Sequence, residues 1–240
     1  QLAGVVPETL GKEQLALLGG MGREEALRQV HAPQDPERLE LARRRLKFEE
    51  LFFIQLGLLR QKQETQRAVR GYVFDRVGEK LNTFYTQHLP FELTGAQKRV
   101  VKEIRKDMGS GRQMNRLVQG DVGSGKTLVG LLSMLIALDN GFQGALMAPT
   151  EILAQQHFAT ISRMLQGMPV VVRLLTGSTR TAERKSLLTA LRLGEVHILV
   201  GTHALLEDRV VFHKLGIVVI DEQHRFGVAQ RARLWAKSEV

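Results

Sequence analysis

No cysteine occurs among the 240 residues, which excludes disulfides, thiolate metal sites and a cysteine nucleophile. The same absence fits a reducing compartment, and a cytosolic setting is expected. No apolar run approaches the ~18 residues that a membrane-spanning helix needs, and nothing near the start has the pattern of a secretory leader. A membrane is therefore not an expected partner. Internal repeats and low-complexity tracts are missing as well. The chain begins with Gln1 rather than Met, which reads as a fragment or a processed chain. Apolar residues supply 43% of the composition, enough for a packed core, so wholesale disorder is excluded.

Charge is present in excess of one sign and unevenly spread. The formal net charge is +9. Residues 1–90 carry 14 basic and 12 acidic side chains, and residues 91–240 carry 20 and 13, so the second segment holds most of the excess. That imbalance fits a protein that meets a polyanion.

Two grammars divide the chain, with the boundary expected at Leu89-Pro90. Residues 1–90 read as helical. Short helices fit Thr9–Leu18 and Gly22–Val30, and Asp35-Pro36 sets a capping acceptor before a first-turn proline. A long helix then reaches Glu64, with Leu39, Ala42, Leu46, Leu51, Phe52, Leu56 and Leu59 recurring near helical period. Arg43-Arg44-Arg45 falls on it and reads as a solvated face more readily than a phosphate contact. A further helix is expected over Tyr72–Gln87. After Pro90, short β-branched strands alternate with helices. Strands are expected at Arg116–Gln119, Ala145–Met147, Val170–Leu175, Ile198–Val200 and Ile217–Ile220, and helices at Lys126–Asp139, Glu151–Leu165 and Thr181–Leu193. Strands without clean alternation imply a parallel sheet buried on both faces, hence a doubly wound α/β domain over residues 91–240.

The chemistry concentrates in three segments. Gly120-Asp121-Val122-Gly123-Ser124-Gly125-Lys126-Thr127 fits the phosphate-loop pattern at every fixed position. Its glycines let successive N–H groups point inward at a polyphosphate, Lys126 supplies a mobile positive charge, and the Thr127 hydroxyl suits Mg²⁺. Ile217–Ile220 delivers Asp221 and Glu222 at a strand's C-terminal end, where open α/β sheets bind ligands. Phosphoryl transfer uses such a pair, Asp221 for the metal and Glu222 for the attacking water. Thr94-Gly-Ala-Gln97 opens another helix. Its Gln97 amide has two competing uses, closing a capping box with Thr94 or meeting an adenine edge while Phe91 stacks on the base. Spacing does not choose between them.

These segments, together with Leu89–Gln97, Ala148–His157, Val200–His203, Asp221–Val228 and the connector series Ala26–Arg28, His31–Pro33 and Ala42–Leu51, resemble the first motor domain of the RecG family of ATP-dependent DNA helicases, in superfamily 2. The resemblance spans residues 24–238. It implies a RecA-like P-loop NTPase domain preceded by a helical connector that follows a wedge domain. It also implies ATP with Mg²⁺, and remodelling of branched DNA such as replication forks and Holliday junctions, in the bacterial cytoplasm at the nucleoid. By the resemblance, Gln97 and Phe91 read adenine, Gly120 to Thr127 cradle the phosphates, Asp221 and Thr127 hold Mg²⁺, Glu222 is the catalytic base, and Lys126 and Gln223 complete the nucleotide site. His224 couples nucleotide state to the neighbouring domain. Pro149, Thr150, Thr176, Gly177 and Thr202 meet the DNA backbone, as small hydroxyls and helix N-terminal amides do without reading sequence.

The transcription-repair coupling factor carries a similar motor but typically has an acidic residue where Gln223 stands, and the Arg-rich connector also favours RecG. The remaining alternatives are a nucleotide-binding module without turnover, against which the Asp221-Glu222 pair argues, and an RNA helicase. A Ser/Thr-Ala-Thr motif, the second motor domain with its arginine fingers and the wedge domain lie outside these residues. The chain alone is therefore expected to bind nucleotide, hydrolyse it slowly and unwind nothing.

Overall fold

The computed structural model describes residues 6–68, 70–89, 91–227, 229, 230, 232, 233 and 237. Pro90 and Val228 fall outside them, and so do the junction expected at Leu89-Pro90 and the last position of the Asp221–Val228 segment. The chain forms two compact units, Gln1–Val69 and Arg70–Val240, so the division comes about twenty residues before the expected one.

In the first unit α1 (Lys12–Leu17) and α2 (Arg23–His31) precede the long α3 (Pro36–Ala68). Asp35 caps α3, its carboxylate accepting the Arg38 N–H at 2.7 Å. Packing of α2 on α3 buries Met21, Ala26 and Ala42, with Leu46 at the margin. The arginine run does not behave as one face. Arg43 and Arg44 are exposed, whereas Arg45 is wholly buried. Arg45, like Ala42, lies on the stripe turned toward α2, since residues three apart share a helix face. Its guanidinium pairs with Glu49 and Glu8 and donates to the Met21 carbonyl at 3.1 Å. Glu49 also accepts from the Thr9 hydroxyl at 2.7 Å and pairs with Arg23 at 3.1 Å. A buried cation without such partners would cost several kcal/mol.

The second unit opens with an extended stretch rather than the helix expected from Tyr72. Gly71 N–H bonds to Gly111 O and Phe74 N–H to Met108 O, at 2.9 and 3.0 Å. The Tyr72, Phe74 and Phe142 rings pack together. Only then does α4 (Glu79–Thr83) begin, running into a π-helical turn at Phe84–His88. Its start is fixed from a distance, because the Asp139 carboxylate accepts the N–H groups of Gly78, Lys80 and Leu81 at 2.9–3.0 Å. These contacts place residues 70–88 with the second unit, which is why the division moved.

Next come α5 (Gly95–Met108), α6 (Lys126–Asp139), β1 (Gln143–Met147), α7 (Glu151–Met164), β2 (Val172–Leu175), α8 (Thr181–Arg192), β3 (Ile198–Gly201) and β4 (Leu215–Ile220). The four strands are all parallel, in the order β2-β3-β1-β4. The α6 helix is buried nearly all round, as the apolar run Leu128–Leu138, interrupted only at Gly130 and Ser133, dictates. With α7 it covers the face bearing Leu146, Ile198, Val200 and Ile217. Leu187 and Leu191 of α8 cover the opposite face with Ala145, Met147, Leu199 and Leu215. Helices on both faces make the sheet doubly wound. The strand expected at Arg116–Gln119 does not form. Leu117 is exposed, and Arg116 is drawn onto α5 by Glu103 at 2.7 Å and Asp107 at 2.5 Å. Among the described residues no helix is long and apolar enough to cross a membrane.

Burial raises the Glu49 carboxyl, but hydrogen bonds from Thr9 and Arg45 and the charges of Arg45 and Arg23 outweigh it and hold the group below its ordinary value. A depressed native value means the unfolded chain binds the proton more tightly. The stabilisation is therefore present above the ordinary glutamate range, near pH 4.3, and is lost as pH falls through the native value. Glu49→Gln should cost about 1–3 kcal/mol at pH 7 and progressively less below pH 4. Urea unfolding of both proteins across that range checks it.

Candidate functional site

Parallel register brings the candidate segments to one edge. Met147 pairs with both Gly201 and Ile220, and Gly201 with Leu175. The residues that follow these strands (Thr176, Thr202, Ala148 and Asp221) therefore form a row at the C-terminal ends of the sheet. The Asp221 N–H fixes the end of that row by donating to the Met147 carbonyl at 2.9 Å.

The phosphate loop reaches the same edge through α6. This helix packs against β1 and β4. A Cβ placed on Gly130, one turn into α6, would meet Val219 Cγ1 at 3.2 Å. Val219 lies two residues before Asp221, so the start of α6 stands over the tip of β4. Gly123 and Gly125 hold the left-handed region at φ 82° and 81°, which glycine adopts without steric cost. A Cβ on Gly125 would also collide with the Gln97 amide nitrogen. The backbone N–H groups of Gly123, Gly125, Lys126 and Thr127 meet no acceptor among the described residues. Gly120, Asp121, Val122 and Ser124 are exposed, Val122 fully, so the loop opens to solvent. The Lys126 ammonium donates to the Gly120 and Asp121 carbonyls at 2.7 and 2.8 Å. It thus lies across the mouth of the loop.

The Gln97 amide, for which two uses were open, is engaged at both ends. Its oxygen accepts the Thr94 N–H at 2.9 Å while the Thr94 hydroxyl accepts the Gln97 N–H, closing the capping box. Its nitrogen donates to the Ser124 carbonyl at 2.9 Å. Gln97 is therefore a strut between the cap of α5 and the phosphate loop, a link that local spacing does not encode. Phe91 is 52% exposed, as a stacking surface requires. It stands between two grooves, one of about 300 Å³ with Tyr85, Leu89 and Lys98, the other of about 630 Å³ with His88, Arg163 and Met164.

At the tip of β4, Glu222 is the single non-glycine residue with positive φ among the described residues, at φ 47° and ψ 54°. A strained conformation of this kind costs on the order of 1 kcal/mol or more and persists only where its surroundings enforce it. It starts a short 3₁₀ turn, Gln223–Arg225. The Glu222 N–H donates to Asp221 Oδ1 at 3.0 Å, and its exposed carboxylate stands 3.7 Å from Arg225. Asp221 Oδ2 meets His157 Nε2 at 2.8 Å. His157 belongs to the Ala148–His157 segment, but nothing in its spacing pointed to Asp221, 64 residues away. Gln223 and His224 are exposed beside the pair.

The remaining strand ends divide by exposure. Thr150 is exposed and caps α7, its hydroxyl accepting the Leu153 N–H at 3.2 Å. Pro149 is half-buried and Gly177 exposed. Thr176 and Thr202 depart from the expectation of hydroxyls open to a backbone phosphate, since they are only 3% and 1% exposed. The Thr176 hydroxyl is turned to Ser178 at 2.9 Å, and that of Thr202 is buried without a partner among the described residues. Ser178 is held in turn by the Glu151 carboxylate, which accepts its hydroxyl at 2.7 Å and its N–H at 3.2 Å. The Ser178 hydroxyl bond leads the causes that keep the Glu151 carboxyl below its usual range.

Comparison with known proteins follows the same outline. The chain is 51% identical over 215 residues to the ATP-dependent DNA helicase RecG of Synechocystis sp., covering 90% of this chain and 26% of that protein. Against the Bacillus subtilis RecG it is 46% identical, covering 90% of this chain and 31% of the relative. The chain thus spans between a quarter and a third of the length of these relatives. A solved structure of RecG bound to a three-way DNA junction superposes with a TM-score of 0.79 at 42% identity, over 92% of this chain and 30% of that one. The fold is accordingly RecA-like. The family pattern of DEAD/DEAH box helicases matches residues 94–238, more than half of the sequence, and the chain belongs to that family.

Proposed function

We propose that this chain is the ATP-binding half of a motor that remodels branched DNA in recombination and repair, working in the bacterial cytoplasm at the nucleoid. The observation that carries the reading is the meeting of an amide-lined loop and a paired carboxylate at one sheet edge. An anion suits the loop, because four backbone donors without acceptors among the described residues lie at the start of a helix whose dipole adds to their field. The donor set also suits Mg²⁺. Among the described residues no cluster of three or more His, Asp or Glu could hold a metal by itself. Asp221 and the Thr127 hydroxyl would hold Mg²⁺, a cation usually bound through one or two carboxylates with the remainder from substrate phosphates and water. When bound, Mg²⁺ supplies positive charge that offsets the charge of the triphosphate.

Each residue then has a task. Lys126 exchanges its two carbonyl partners for phosphate oxygens. Glu222, whose exposed carboxylate takes no part in the bonds to Asp221, orients and deprotonates the attacking water. Phe91 offers its face to the base, and Gln97 reads adenine with its amide nitrogen while keeping the cap bond through its oxygen. His224, beside the pair, would report nucleotide state to the second motor domain. Phosphate contacts with DNA fall to the exposed groups of the strand ends, Thr150 and Gly177, with Pro149 shaping the turn. Thr176 and Thr202 support them from below.

Lys126→Ala should weaken binding of a fluorescent ATP analogue at least tenfold, about 1.4 kcal/mol, with an unchanged melting temperature. Equal affinities would remove the phosphate site. Glu222→Gln should bind the analogue as well as the unchanged chain, yet reduce hydrolysis by at least about a hundredfold when carried in the longer protein. In that longer protein, forked DNA should stimulate hydrolysis more than linear duplex, and single-stranded RNA should not stimulate it. Equal stimulation by all three would contradict the DNA-motor reading.

A further inference from the structure

His157 has no part in the phosphate loop or the carboxylate pair, yet it makes the shortest side-chain contact to Asp221, at 2.8 Å. The imidazole is largely buried, with 15% of its side chain exposed, while the Asp221 side chain keeps 32% open to solvent. An ionised carboxylate carries no proton, so Nε2 must be the protonated nitrogen and the donor. Both oxygens of Asp221 are then fixed, Oδ2 by His157 and Oδ1 by the Glu222 N–H. Each keeps a lone pair, and the carboxylate plane cannot turn.

Resting on the nucleotide site proposed above, we infer that His157 is the positioning residue for Asp221, holding its carboxylate in the one orientation that meets a phosphate-bound divalent cation. The helix that carries it is itself braced. The α7 helix starts at the Thr150 cap, and its first residue, Glu151, is bonded to Ser178 beyond β2. His157 lies nearly two turns further along, so one rigid element joins the strand-end loops to the metal-facing carboxylate. Hydrogen bonds that orient a ligating carboxylate typically change metal affinity or activity by 10–100-fold when removed.

The test is the Mg²⁺ concentration needed for half-maximal binding of N-methylanthraniloyl-ATP by the 240-residue chain. The unchanged chain should show a saturable Mg²⁺ requirement that Asp221→Asn removes; if it does not, the nucleotide site itself is misassigned and the inference falls with it. Given that requirement, His157→Ala should raise the Mg²⁺ midpoint by about tenfold, while affinity for the analogue without metal stays unchanged. His157→Gln, which keeps a donor, should recover most of the loss. In the Asp221→Asn background, His157→Ala should add nothing further. A midpoint equal to that of the unchanged chain in His157→Ala would overturn the inference while leaving the nucleotide site standing. Should His157→Ala lose its cooperative melting transition, the folded His157→Phe, which keeps the ring without the donor, replaces it. Identical midpoints in the Phe and Gln variants would then overturn the inference.

Discussion

The pairing of β4 with β1 is the contact on which the site depends. It sets Ile220 beside Met147 and lets the Asp221 N–H close on the Met147 carbonyl, so the carboxylate leaves the sheet at a defined height. A slip of one residue would send Asp221 to the other face, because side chains alternate along a strand. The close approach of Gly130 to Val219 then sets the second coordinate, bringing the start of α6 over the same strand. Neither coordinate comes from the functional residues themselves. The apolar burial of α6 and the central strands keeps both in place, with each fully buried Leu contributing roughly 1.5–3 kcal/mol.

Much of the second unit was legible because its signals were strong and local. The Lys126–Asp139 helix was expected with the bounds the structure gives it, and the strands and helices from Gln143 to Ile220 lie within a few residues of expectation. Short apolar strands between helices leave little alternative to a parallel sheet. The misreadings lie where a distant partner overrides local pattern. Tyr72–Gln87 has helical periodicity, but Asp139 caps the chain at Gly78 and the Phe142 ring holds Tyr72 and Phe74 in extended backbone. Leu117-Val118 makes Arg116–Gln119 read as a strand, yet two carboxylates of α5 hold Arg116. Arg45 looked like one cation among three until its partners, up to 37 residues away, were seen to bury it.

In the site the division is similar. Glycine spacing and paired carboxylates are readable because the chemistry fixes their identity and order. The double use of Gln97, the left-handed backbone of Glu222 and the His157–Asp221 bond are not, because each depends on tertiary placement. The hydroxyls of Thr176 and Thr202 show the converse. Their residue type suits a phosphate contact, but the ends of β2 and β3 bury them.

The phosphate loop and the tip of β4 are taken to serve one metal–nucleotide complex. Amide NMR spectra of the chain, recorded with ATP and substoichiometric Mn²⁺ in place of Mg²⁺, test it most directly, since paramagnetic broadening falls steeply with distance from the bound cation. Signals of Lys126 and Thr127 should broaden together with those of Asp221 and Glu222, in proportion at every Mn²⁺ concentration. Broadening confined to the loop, with Asp221 and Glu222 left sharp, would contradict it.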